Sequence, residues 1–162
     1  DFRKAQRRFK MSHNWVLSSR SRDRLSGVKP DLADTVKRAL ELSPIDFGVS
    51  EGKRTLERQK LLVSQGASQT MKSKHLTGDA VDLVGYLDAH VSWEMAIYCK
   101  IADAVRQAAI ETDVSICWGG AWQVRDIRLH EGGMDEAQDA YIDLRRSEGR
   151  RPFLDGPHFQ LS

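Results

Sequence analysis

Apolar residues recur at helical spacing in the stripe Leu32, Val36, Ala39 and Leu40. The stripe follows the turn-rich segment Leu25-Ser26-Gly27-Val28-Lys29-Pro30-Asp31 and stops at Ser43-Pro44, so the pattern predicts one amphipathic helix there. Phe47 and Val49 then alternate with other residues at the period of a short strand. Gly52-Lys53-Arg54-Thr55 leads into a second predicted helix, capped by Thr55, with Leu56, Leu62 and Val63 expected to supply its apolar contacts and Gly66 to end it. The β-branched run Ala80-Val81-Asp82-Leu83-Val84 predicts a buried strand. Ser92 is expected to cap a longer helix from 93 to about 110, whose stripe is Ile97, Ile101, Val105 and Ala108. Val114-Ser115-Ile116-Cys117-Trp118 alternates as a strand and halts at Gly119-Gly120. A last helix is predicted near 135–146, with Ala137, Tyr141 and Leu144 on one face and Arg145-Arg146 at the end that suits the helix dipole. In the closing segment His158 and Gln160 share one face of a short strand, and Phe159 and Leu161 share the other.

Both periods occur in one chain without an internal repeat, which predicts an α+β mixture. The length of 162 residues fits one domain; a domain of that size buries about 70% of its unfolded surface. A net charge of +2 excludes little and gives no strong field for nucleic acid. The basic residues are spread over predicted helix faces, without a patch of interleaved aromatics outside residues 1–10. That tail carries Arg3, Lys4, Arg7, Arg8 and Lys10 and reads as a frayed or appended terminus, with Met11 a candidate natural start. No run of 18 apolar residues is present, and no apolar signal segment with a cleavage site, so neither a membrane span nor a Sec-type signal is expected. Cys99 and Cys117 lack metal or redox spacing and read as buried free thiols, with a disulfide still open.

Candidate chemistry changes this picture. His75 precedes the turn-permitting Gly78, and Asp82 lies on the predicted strand beyond it, so the two side chains can converge across a bend. His158 on the final strand supplies a third donor. Two imidazoles and one carboxylate suit zinc and leave a fourth position for water.

The segments Gly-Lys-Arg-Thr, Ser73-Lys74-His75-Leu76-Thr77-Gly78-Asp79-Ala80-Val81-Asp82-Leu83, Trp118-Gly119-Gly120-Ala121-Trp122 and Asp155-Gly156-Pro157-His158-Phe159-Gln160-Leu161 resemble the zinc peptidases that include phage L-alanyl-D-glutamate endopeptidases and D-alanyl-D-alanine carboxypeptidases. The resemblance runs from about Leu25 to Leu161. It implies a small, mainly antiparallel sheet packed with helices around a single zinc cleft, as in the hedgehog and DD-peptidase folds. It implies one Zn2+ per chain held by His75, Asp82 and His158, with Asp155 as catalytic base. It places Arg54 near the zinc, for an oxyanion or a substrate carboxylate, and Ser73 and Gln59 at the substrate. The insertion at about 123–152 departs from the shorter members and is expected to cover an edge of the cleft.

The implied activity is hydrolysis of the peptidoglycan stem peptide at the L-Ala-D-Glu bond, in the manner of an endolysin. A D-alanyl-D-alanine carboxypeptidase and a non-catalytic, zinc-stabilised wall-binding module stay open beside it. Asp155 speaks against the second, and a purely structural zinc more often has its fourth position closed by another Cys or His, which is not apparent here. The implied partner is peptidoglycan, not nucleic acid or a membrane interior. The expectation is a monomer, made in the cytoplasm, that needs an export route or holin-like helper to act in the periplasm or cell wall. His13, His90 and His130 read as bystanders; His130-Glu131 is a poor ligand pair because adjacent residues of an extended chain point to opposite sides.

Overall fold

The computed structural model describes residues 14–162; the basic tail, Met11 and His13 lie outside the described residues. The chain order is α1 (Ser19–Leu25), α2 (Pro30–Leu42), β1 (Asp46–Glu51), α3 (Leu56–Ser64), a 3-10 turn (Lys74–Thr77), β2 (Ala80–Leu87), β3 (His90–Ser92), α4 (Met95–Thr112), β4 (Ile116–Trp118), a second 3-10 turn (Ile127–Leu129), α5 (Met134–Ser147) and β5 (His158–Leu161). The α+β expectation holds. One sheet runs β1-β2-β5-β4, β3 adds to β2, and every pairing is antiparallel.

β2 is the strand the others assemble on. Val81 and Leu83 are wholly buried, and each such side chain contributes about 1.5–3 kcal/mol on leaving water. Leu32, Val36, Val49, Ile101, Val105, Trp118 and Phe159 join them in one hydrophobic cluster. Trp118 and Phe159 stack behind the sheet at 6.3 Å, so Phe159 anchors the strand whose opposite face carries His158. Truncating Phe159 to Ala leaves a cavity beneath that histidine, at a cost of about 3–5 kcal/mol.

Several local expectations are corrected. Ser92 does not cap α4: it ends β3, and the helix starts at Met95 with Glu94 at its N-cap and no side-chain cap bond. The hydroxyl of Ser92 instead accepts a hydrogen bond from the Glu94 N–H, a local turn that competes with capping. The strand expected from Val114 begins at Ile116, because Val114 N–H bonds back to Ala109 and closes the helix end. Leu56 remains 49% exposed and the buried residue of α3 is Gln59, so that helix is held by a polar anchor rather than by leucines. On α5, Met134, Ala137 and Tyr141 face inward while Leu144 stays in solvent. Helix α1, with Ser18 as its cap, and the β2–β3 hairpin went unforeseen; their short polar sequences carry no apolar period.

Candidate metal centre and cleft

Two loops and two strands bring the candidate ligands together. Ser73 caps the 3-10 turn by accepting from the His75 N–H, and Gly78 closes that turn at φ +76°. A side chain at Gly78 is excluded twice over: by the left-handed backbone, and by the Gly27 carbonyl, which a Cβ would meet at 2.5 Å. The chain therefore doubles back, and β2 carries Asp82 past His75. β5 pairs with β2 so that His158 lies directly opposite Asp82.

His75, Asp82 and His158 offer ligand atoms all within 4.8 Å of one another. The His75 and His158 rings meet edge-on at 5.2 Å. His75 Nδ1 is 2.9 Å from the Gly52 carbonyl, and since a carbonyl only accepts, Nδ1 carries the proton and Nε2 presents a lone pair. That Nε2 faces Asp82 Oδ2 at 3.4 Å. On the other side His158 Nε2 donates to Gln160 Oε1 at 2.8 Å, which leaves Nδ1 facing Asp82 Oδ1 at 3.2 Å.

A carboxylate is acceptor-only, so two imidazole lone pairs aimed at one carboxylate repel it unless a proton or metal cation lies among them. This donor set fits a divalent metal with an open position. The electrostatics agree. In the metal-free chain protons on the two imidazoles take that place: burial disfavours the charge on Asp82, but the hydrogen bonds that His158 and His75 then donate outweigh it and hold the carboxyl well below the usual range. Burial likewise works against a charged His158, yet the Asp82 carboxylate wins and raises its pKa.

Asp155 stands at the rim of this site. Burial, followed by repulsion from the Asp82 charge, pushes its carboxyl above the ordinary Asp value; His158, His75 and Arg54 oppose the shift. Its N–H donates to the Gly119 carbonyl, and its own carbonyl accepts from His158 N–H. A Cβ at Gly119 would lie 2.2 Å from the Asp155 carbonyl oxygen, so the glycine permits that approach.

Arg54 is not a free cation. Its Nε and Nη2 donate to both oxygens of Glu51 at 2.7 and 2.6 Å, and Nη1 donates to Gln59 Oε1 at 2.7 Å. Ser73 Oγ is 3.5 Å from the same Nη1. The Arg54 N–H also donates to the His75 carbonyl at 2.8 Å, so the residue holds the His75 loop by main chain and by side chain. Gln59, expected at the substrate, is wholly buried. Its amide N–H groups bond to Ser68 and to the Thr70 carbonyl, so it fixes Arg54 and the 65–73 loop from behind. Ser73 does line the cleft.

The cleft encloses about 700 Å³ and is lined by Glu51, Arg54, Trp122, Phe153 and Asp155 around the triad, with the 66–74 loop closing it. The 123–152 stretch contributes no lining residue. The expected cover is replaced by indirect support: α5 packs beside α4, and Tyr141 Oη accepts from the Phe153 N–H at 3.1 Å. His130 and His90 stand outside the ligand group. Cys99 and Cys117 are free, buried thiols; burial pushes Cys117 up, and burial with nearby Asp135, Asp103 and Asp139 pushes Cys99 up to about 11.

The family model for phage L-alanyl-D-glutamate peptidase matches residues 11–162. The chain belongs to that family. It is 35% identical over 113 residues to the L-alanyl-D-glutamate peptidase of Escherichia phage T5, a match covering 67% of this chain and 82% of that protein. It is 36% identical over 98 residues to the L-alanyl-D-glutamate peptidase of Listeria phage A118, covering 56% of this chain and 34% of the relative. The crystal structure of the Serratia marcescens L-Ala D-Glu endopeptidase ChiX superposes with a TM-score of 0.68 at 38% identity, over 92% of each chain.

Within this family frame, sequence reasoning missed Glu51, Gln160 and Phe153. Glu51 had a signal, a carboxylate three residues before Arg54, but a β-bulge between Val49 and Glu51 is what turns it into the cleft. Gln160 was legible as sharing His158's face, without a role attached to it. Phe153 had none, since its exposure depends on where the loop before Asp155 runs.

Proposed function

We propose that this chain is a zinc-dependent L-alanyl-D-glutamate endopeptidase that hydrolyses the stem peptide of peptidoglycan. The observation that carries the reading is the convergence of two imidazole lone pairs and the Asp82 carboxylate beside the half-buried Asp155. His75, Asp82 and His158 would hold the ion. When bound, zinc supplies a water of lowered pKa and a Lewis acid toward the scissile carbonyl. Asp155 takes the water's proton and returns it to the leaving amine; a carboxyl raised by burial holds a proton more readily than an ordinary aspartate. Arg54 and Ser73 shape the cleft wall, with Ser73 Oγ free to donate to a substrate carbonyl because its bonds from His75 and Arg54 are accepted ones.

The carboxypeptidase reading is less well supported. The Arg54 charge beside the triad is already matched by Glu51, and the relatives at 35% and 36% identity are both L-alanyl-D-glutamate peptidases. We further propose a single peptidase domain over 11–162, with 123–152 as its insertion, working as a monomer that reaches the cell wall through a separate export or holin-like step. Among the described residues no helix is long and apolar enough to cross a membrane.

Purified muropeptides incubated with and without chelator, then read by mass spectrometry, test the activity. The expected product carries a new N-terminus on D-Glu and disappears with chelator. Release of free D-alanine from a pentapeptide, with L-Ala-D-Glu intact, overturns it in favour of the carboxypeptidase.

A further inference from the structure

The cleft is chemically two-sided. The 66–74 loop contributes polar and basic residues, among them Ser68, Gln69, Thr70 and Lys72. The other side is aromatic: Trp122 leans against His158 at 5.5 Å, and Phe153 stacks on Trp122 at 6.3 Å with the rings 20° apart. Phe153 is 63% exposed, and Leu154 beside it 37%. This surface is held rigid rather than left loose. The Trp122 Nε1–H donates to the Phe153 carbonyl at 3.0 Å, and the Phe153 N–H donates to Tyr141 on α5. An aromatic pair, one ring half-buried and the other exposed, fixed by hydrogen bonds beside the candidate metal site is a binding surface, since burial in the core does not explain the open ring of Phe153.

The substrate proposed above has the same polarity. On one side of its scissile bond, L-Ala is amide-linked through a lactyl group to a muramyl sugar. On the other, D-Glu continues through its γ-carboxyl and leaves its α-carboxylate charged. One face of a pyranose is a sheet of C–H bonds, which packs on the negative face of an aromatic ring. One residue spans about 3.3–3.6 Å, and a lactyl unit of similar length puts the sugar roughly two such steps from the cleaved carbonyl. Ring-to-ring steps of 5.5 Å from His158 to Trp122 and a further 6.3 Å to Phe153 bracket that distance of about 7 Å.

We infer that Trp122 and Phe153 form a subsite for the muramyl sugar attached to the stem peptide. The inference rests on the endopeptidase reading for its choice of ligand. It gives the bound strand a direction, with sugar on the aromatic side and the D-Glu carboxylate toward Lys72, and it gives the insertion a task, since α5 supplies the tyrosine that fixes Phe153.

The test compares kcat/KM of the zinc-loaded protein on a disaccharide-linked stem peptide and on the same peptide freed of sugar and N-acetylated. The sugar-linked substrate is expected to be favoured by about three- to tenfold. Phe153→Ser, at a position open to solvent, should collapse that ratio toward one by raising KM for the sugar-linked substrate. Independently of turnover, titration with N-acetylmuramyl-L-alanine should shift the Trp122 indole N–H resonance saturably, and Phe153→Ser should abolish saturation. Cleavage of both substrates at equal kcat/KM, with no shift at Trp122, overturns the subsite and leaves the endopeptidase standing. Saturable binding without cleavage of either substrate keeps the subsite and sinks the endopeptidase. Self-association abolished by Phe153→Ser, with no sugar binding, reassigns the surface to a second copy of the chain and overturns the inference.

Discussion

Gln160 Oε1 lies 2.8 Å from His158 Nε2, and that contact decides which nitrogen of His158 faces Asp82. The two residues are neighbours on one face of β5, so strand geometry delivers the acceptor together with the ligand. Partners of this kind orient a ligating imidazole and raise its basicity, and their loss typically costs 10–100-fold in metal affinity. Gln160→Leu is therefore expected to weaken zinc binding by about that factor, measured by competition with a chromogenic chelator. Gln160→Glu keeps an acceptor in place and should retain affinity. Equal affinity for the leucine variant would show that His158 needs no such partner.

His75→Ala, Asp82→Ala and His158→Ala should each strip the protein of stoichiometric metal, because three ligands are the working minimum for a catalytic zinc. Elemental analysis after dialysis decides the matter. Full zinc occupancy in all three variants would place the ion elsewhere.

The strands and the candidate ligands on them were legible in local patterns, while the antiparallel architecture came from the family resemblance. The β-branched run placed Asp82 within β2 and alternation placed His158 within β5, and the register of those strands sets the two side chains opposite each other. What it hid depends on long-range geometry. Gln59 looks in sequence like one polar residue among several on a helix, and only the fold shows it wholly buried, bridging Arg54 to the 65–73 loop. The insertion looked like a cover because it adjoins the site at both ends in sequence. It folds instead into α5 beside α4 and supports the cleft through Tyr141.

Asp155 gives a prediction with a sign. In the metal-free chain burial and the Asp82 charge push its carboxyl up, so it should titrate above an ordinary aspartate in carbon-detected NMR. Loading zinc adds positive charge nearby and should move that titration down. The base works deprotonated, so kcat/KM should fall as pH drops through the zinc-loaded value. Asp155→Asn keeps the turn but cannot accept the proton; zinc should stay bound while kcat falls at least about 100-fold. Near-normal turnover by the zinc-loaded variant excludes the assigned role.

The last prediction concerns the Arg54–Glu51 pair, whose side chains are 9% and 26% exposed. Arg54 meets Glu51 through two nitrogens and Gln59 through a third, a fork that a lysine ammonium cannot reproduce. Glu51→Gln removes the countercharge and leaves a nearly buried guanidinium half-partnered. Breaking a buried pair in this way costs about 3–5 kcal/mol, and the partial exposure of Glu51 puts this case near about 3. For a chain of this size each kcal/mol shifts Tm by roughly 2–4 °C, so thermal unfolding should come about 6–12 °C lower. Arg54→Lys should loosen the His75 loop, because its main-chain bond to the His75 carbonyl remains while the side-chain bridge to Gln59 is lost. Faster hydrogen exchange in the 65–75 segment is the readout for that variant. An unchanged Tm in Glu51→Gln together with unchanged exchange in Arg54→Lys would show that the pair is a surface ornament, and that the His75 loop is held by the Gly52 and Arg54 main chain alone.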